Sequence, residues 1–211
     1  MTDSPLETGQ RAIAILEPLE AIREATGRRH AALEHAMPLS RQDATLDDYG
    51  DHLILLKAWL VPIETWLAEF DDGAQNPCIL ASIERAPLID ADLSEPSMTP
   101  APAMKAIAWR PRHTSQAYRW GVTYVIEGSQ LGGKVLASRL GARLAPHPLR
   151  YLGASGAAVG ARWRTFIAAL QTALTDESQI EEACDGASDA FDALIDIVDA
   201  FPINSRAAEA R

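Results

Sequence analysis

The chain is predicted to be all-α, and three observations predict it. Apolar residues recur at intervals of three and four along nearly every stretch between turn signals, the period of helices buried on one side. Strand-like alternation is almost absent. Proline- and glycine-rich breaks separate the periodic stretches at lengths that suit packed helices. At 211 residues the expectation is a single domain over 1–211, with flexible ends at about 1–12 and 204–211.

A first helix is expected from about Glu17 to Met37, with Leu19, Ile22, Thr26, Leu33 and Met37 at apolar phase, Pro18 in its first turn and Pro38 as its stop. A second runs from about Thr45 to Phe70, and Leu53, Leu56, Trp59, Leu60, Ile63 and Leu67 form its inner face. Pro62 is expected to kink or divide it. A loop at 71–77 leads to a short helix over Cys78 to Arg85, and the four prolines of 87–103 predict an irregular connection. A long glycine-bearing helix is expected over Thr114 to Leu144, a break at Ala145 to Pro148, and a loop to about Gly156. Two helices close the chain, near Ala158–Leu174 and Asp176–Phe201.

Charge and cysteine content exclude several classes. Twenty-nine acidic residues against 19 basic ones give a formal charge of −10, and no long Lys/Arg run offsets it, so nucleic acid is not an expected partner. Cys78 and Cys184 lie far apart and match neither a disulfide framework nor a Cys-x-x-Cys site. The start, MTDSPLETGQ, has no apolar signal core, and no run of about 18 apolar residues comes after it. These features predict a soluble cytoplasmic protein with reduced thiols and no membrane partner.

Chemistry enters with residues 124–136, YVIEGSQLGGKVL. Gly128, Gly132 and Gly133 each cost a helix roughly 1 kcal/mol relative to alanine. Such tolerance predicts a close approach to the backbone, since glycine puts no side chain in the way. Tyr124, Gly128 and Gly132 are four apart and share one face, a phenol followed by bare backbone, which suits a flat ligand. The first helix carries the complementary set in IREATGRRHAALE, residues 22–34. Arg23, His30 and Glu34 share a face there, with Arg23 about 10 Å from His30 along the axis. Glu34, one turn on, can accept a ring N–H from a metal-bound histidine, and an arginine at that distance can hold an acid group of the same ligand.

The first helix's R-x-x-T-x-x-x-H-x-x-x-E and the later helix's Y-x-x-E-G-S-x-L-G-G together resemble the bacterial heme oxygenase family, in its bacteriophytochrome-linked and iron-releasing branch. LGARLAPHP at 140–148 and RWRTFIAAL at 162–170 stand in that family's order, so the resemblance covers roughly residues 20–200. It implies a helical fold with heme between a proximal helix and a kinked distal helix. It implies oxidative cleavage of heme b, both cofactor and substrate, to biliverdin, carbon monoxide and ferrous iron, using O2 and an external ferredoxin- or reductase-type electron donor. A bacteriophytochrome would then suit as acceptor of the biliverdin. Carried over by residue, His30 is the iron ligand, Glu34 its orienting partner, and Arg23 and Tyr124 hold propionates. Gly128, Ser129 and Gly132 form the distal wall. No aspartate stands in GSQLGG, so proton delivery would fall to ordered water.

Plainer readings stand beside these. The glycines would equally permit close helix packing, Tyr124 would equally be core, and Arg23 and Glu34 would equally be solvated. His35, His52, His113 and His147 are expected to bind no metal. Trp163, Phe166 and Phe191 are expected in the core, where one of them could also reach the ligand. Arg28, Arg29, Lys134 and Arg139 read as solvated surface; of these, Arg28, Arg29 and Lys134 are also candidates for donor docking. No acidic residue is followed three positions later by histidine, which argues against a carboxylate-bridged di-iron site. The competing functional class is a heme-binding protein that stores, senses or delivers heme without cleaving it.

Overall fold

A computed structural model describes residues 17–100, 104, 108–154, 156 and 158–201; the ends expected to be flexible, 1–12 and 204–211, lie outside them. Seven α-helices and no strand occur among the described residues: α1 (Pro18–Ala36), α2 (Leu46–Leu67), α3 (Ala86–Leu93), α4 (Gln116–Leu140), α5 (Arg150–Gly153), α6 (Val159–Ala173) and α7 (Glu177–Ala200). Short 3-10 turns come after α1 at Pro38–Ser40 and after α2 at Gly73–Gln75.

Local chemistry sets the boundaries. Pro18 opens α1, and Met37, held extended before Pro38, closes it. A reciprocal capping box starts α2: Thr45 Oγ1 accepts from the Asp48 amide at 3.2 Å, and the Thr45 amide donates to Asp48 at 2.7 Å. Pro62 does not divide α2, which runs uninterrupted through it. One missing backbone bond is offset there by burial of Trp59, Leu60 and Ile63 on the adjoining turns.

Two expectations are overturned. Residues 78–85 are not helical: Pro77 leads into a turn in which the Cys78 amide donates to Asn76 Oδ1 at 2.9 Å. The helix lies later, at Ala86–Leu93, where Pro87 occupies the first turn and so starts a helix instead of breaking one. Within the stretch read as loop up to Gly156, α5 forms because the buried Asp92 accepts from the Arg150 and Tyr151 amides at 3.0 and 2.8 Å. The same carboxylate accepts the Tyr49 hydroxyl at 2.6 Å, joining α2, α3 and α5.

The core is built on α4 against α7. A Cβ on Gly121 would lie 1.8 Å from the Ala183 carbonyl oxygen, and one on Gly186 would lie 2.1 Å from that of Tyr118. These glycines bring two backbones into direct contact. Trp59, Trp120, Tyr49, Tyr118 and Phe166 are the largest fully buried side chains of the core. Both α1 and α4 pack on α6 and α7, and they face each other across a cavity.

Candidate functional site

The cavity has a volume of about 790 Å³ and is mostly apolar. From α1 it is lined by Arg23, Thr26, Gly27, His30, Leu33 and Glu34. From α4 it is lined by Tyr124, Gly128, Ser129, Gly132 and Gly133 among others. Every residue singled out from the two motifs therefore meets at one chamber, although the motifs lie about 100 positions apart.

His30 faces this space half-free. Its Nδ1 lies 3.4 Å from Glu34 Oε1, long for a hydrogen bond, and the two side chains are each 62 % exposed. The edge of the Phe191 ring meets the imidazole, with centroids 6.0 Å apart. Arg23 interacts with the Tyr124 hydroxyl across the cavity; burial raises the phenol's pKa, and the arginine pulls it part of the way back. The Tyr124 ring leans on Trp163 at 5.5 Å.

The glycines of α4 divide by role. A Cβ on Gly132 would meet nothing within 4 Å, and one on Gly128 would touch only the Trp163 ring, at 3.6 Å. Neither supports a tight helix crossing; Gly121 and Gly186 do that. Ser129 lines the cavity, but its hydroxyl donates to the Ile126 carbonyl at 2.7 Å, so it is already engaged within its own helix. α4 is helical without a break from Gln116 to Leu140, despite its glycines.

Several residues escaped sequence reasoning. Glu127, inside the glycine motif, is a buried carboxylate that accepts two bonds from Arg162, at 2.6 and 2.9 Å, and one from Arg85 at 2.7 Å. Arg85 also donates to Glu64 at 2.7 Å. Burial pushes the Glu127 pKa up, but the Arg162 hydrogen bond and both guanidinium charges outweigh it and hold the carboxyl below its usual range. Burial dominates at Glu64 and raises its pKa. His52 lines the cavity from α2, as do Leu56 and Trp59, and Trp163 and Phe191 are cavity walls as well as packing residues. Burial lowers the His52 pKa to about 4.

Two surface assignments change. Arg29 is held by Asp192 of α7 through bonds of 2.7 and 2.9 Å, so it ties α1 to α7 and is not free to dock a partner. Arg139 lines the cavity and donates to the Leu39 carbonyl. Arg28 and Lys134 are exposed. Among the described residues, no three His, Cys, Asp or Glu side chains converge as a metal site. No helix among them is long and apolar enough to cross a membrane.

A heme oxygenase family model matches residues 17–200. The chain belongs to the heme oxygenase family. That membership accounts for the all-helical fold and for the joint occurrence of the α1 and α4 motifs. A curated relative, the heme oxygenase of Xanthomonas campestris pv. campestris (strain 8004), is 41 % identical over 83 residues. The match takes in 38 % of this chain and spans 50 % of the relative, so it reaches about half of that protein's length.

Proposed function

We propose that this chain is a heme oxygenase. It binds heme b between α1 and α4 and cleaves it to biliverdin, carbon monoxide and ferrous iron, with O2 and electrons from a ferredoxin- or reductase-type donor. The observation that carries the reading is the pairing of an accessible His30 with a bare-backbone wall at Gly132, across a chamber of about 790 Å³. Such a volume lies within the roughly 300–1,000 Å³ of small-molecule sites.

The residues fit heme. A lone histidine suits a metal that arrives with equatorial ligands of its own, and His30 is already flanked by a carboxylate one turn away. The apolar lining suits the macrocycle, and Arg23 with Tyr124 forms a cationic, hydrogen-bonding corner for its acid groups. When bound, heme supplies the iron at which O2 is activated and the ring that is oxidised. The chain's own part is to bind and orient. With heme bound, His30 would hold the iron, Gly128 and Gly132 would leave room for a small ligand, and Trp163 and Phe191 would wall the cavity. Glu34, whose Oε1 lies 3.4 Å from the His30 Nδ1, would restrain the imidazole's rotation. Arg23, with Tyr124, would hold the acid groups and so orient the ring within the cavity.

Purified protein mixed with hemin should give a Soret band that titrates to one heme per chain. In His30→Ala that band should be lost or resemble loosely held heme. Adding reductant in air to the wild type should bleach the Soret band and raise a biliverdin absorption. Axial ligation unchanged in His30→Ala would overturn the assignment of His30. A stable complex that returns to ferric heme would favour the carrier reading instead.

A further inference from the structure

Helix α1 carries His30 with a thin apolar grip on the core: of its 19 residues only Ile22, Thr26 and Leu33 are buried. A second hold comes from two pairs of consecutive residues, Arg29 and His30 on α1 against Phe191 and Asp192 on α7. Arg29 Nε and Nη2 donate to the two carboxylate oxygens of Asp192 at 2.7 and 2.9 Å, a fork that fixes direction as well as distance. Arg29 Nη1 donates to the Ala25 carbonyl at 3.1 Å, which braces the guanidinium against its own helix. Beside it the Phe191 ring meets the His30 imidazole edge-on, with centroids 6.0 Å apart and planes at 71°.

Neighbouring residues on a helix point about 100° apart. A helix held through two of them, by a fork on one and a ring on the other, cannot roll or slide without breaking a contact. That restraint matters at His30, because Glu34 approaches its Nδ1 only to 3.4 Å, long for a hydrogen bond, and steadies the ring weakly. Asp189, one turn earlier on α7, does not stand in for Asp192. It already accepts from Arg112 at 2.7 Å and from the Tyr118 hydroxyl at 2.6 Å. The Arg29 and Asp192 side chains are 34 and 49 % exposed, so their pairing adds little to global stability. Its consequence is geometric.

We propose that Asp192 is a positioning residue: through Arg29 it sets the roll of α1, and with Phe191 it sets how the His30 imidazole is presented to the chamber. The inference rests on the heme-binding reading above, in which His30 is the iron ligand. It makes α7 the element that aims the ligand, while α1 only carries it.

The test uses the full-length protein and the variants Asp192→Ala, Arg29→Ala and the two combined. Without hemin, Asp192→Ala should melt within about 4 °C of the wild type, yet amide hydrogen exchange should quicken along α1 and not along α4. With hemin bound and reduced, the resonance Raman iron–histidine stretch should move or broaden in both single variants, and hemin should dissociate about two- to tenfold faster. The double variant should be no worse than either single one, because both changes break the same fork. In a His30→Ala background, Asp192→Ala should not quicken hemin loss further, which a role independent of the ligand would do. An unchanged iron–histidine stretch in Asp192→Ala overturns the proposal, and so do additive losses in the double variant or a further loss in the His30→Ala background. A wild type that shows no iron–histidine stretch would instead remove the assignment of His30, and this inference with it.

Discussion

Gly132 sets two energies against each other. In the interior of α4 a glycine costs about 1 kcal/mol relative to alanine, yet nothing lies within 4 Å of where its Cβ would stand. Gly132→Ala should therefore stabilise the ligand-free protein by up to about 1 kcal/mol, seen as a higher melting temperature. A glycine kept where alanine fits points to space reserved for a guest. Gly132→Leu should still bind hemin through His30, while heme degradation slows about tenfold or more, equivalent to some 1.4 kcal/mol on the barrier. Full activity in that variant would disconnect the glycine face from the chemistry. His30, Arg23, Tyr124 and Gly132 were legible because helical phase fixes which residues share a face, and phase can be read from spacing alone. His52 carried the same signal: with Leu56 and Trp59 it repeats at four and seven positions on α2. A polar side chain on an apolar face is easily discounted, since only the cavity distinguishes an engaged histidine from a free one.

At the scale of elements, the feature hidden from the sequence is long-range pairing. Glu127 meets Arg85 and Arg162 across separations of 42 and 35 residues, and no periodicity announces such partners. Their union locks α4 to α6 and to the segment leading into α3, immediately beside Gly128. The reading of α3 itself failed for a related reason, because a proline near a boundary breaks or starts a helix according to the residues on its C-terminal side. Removing one member of a buried ion network leaves a bare charge, so Glu127→Ala should cost about 3–5 kcal/mol in urea unfolding. The pH dependence has a definite sign. The Glu127 carboxyl is held below its ordinary 4.5, so the stability it contributes is full above pH 4.5 and is lost as the pH falls through the lower folded value. The raised pKa of Glu64 works in the opposite direction and offsets part of this. The gap in stability between wild type and Glu127→Gln should therefore shrink on acidification below pH 4.5. A gap independent of pH would mean that Glu127 acts through packing and not through its charge.

At the scale of the whole molecule, the formal charge of −10 bears on how electrons arrive. Donors of the ferredoxin class are themselves acidic, and two acidic proteins repel unless one presents a local basic patch. Arg28 and Lys134 are exposed cations on α1 and α4, the two helices that line the chamber, although neither lines it itself. Arg29, committed to Asp192, is removed from that patch. If the donor docks on these exposed cations, Arg28→Glu and Lys134→Glu should each slow donor-supported heme degradation at low salt. Rates with a small chemical reductant should be unaffected, because such a reductant needs no docking surface. Exposed charges act within a Debye length of about 10 Å at 0.1 M ionic strength, so the difference between variant and wild type should narrow as salt is raised. Steady-state rates over a salt series, with the acidic donor and with the small reductant in parallel, decide it. Equal losses with both reductants would place the damage in the heme chamber, and no loss with either would move the docking surface elsewhere on the protein.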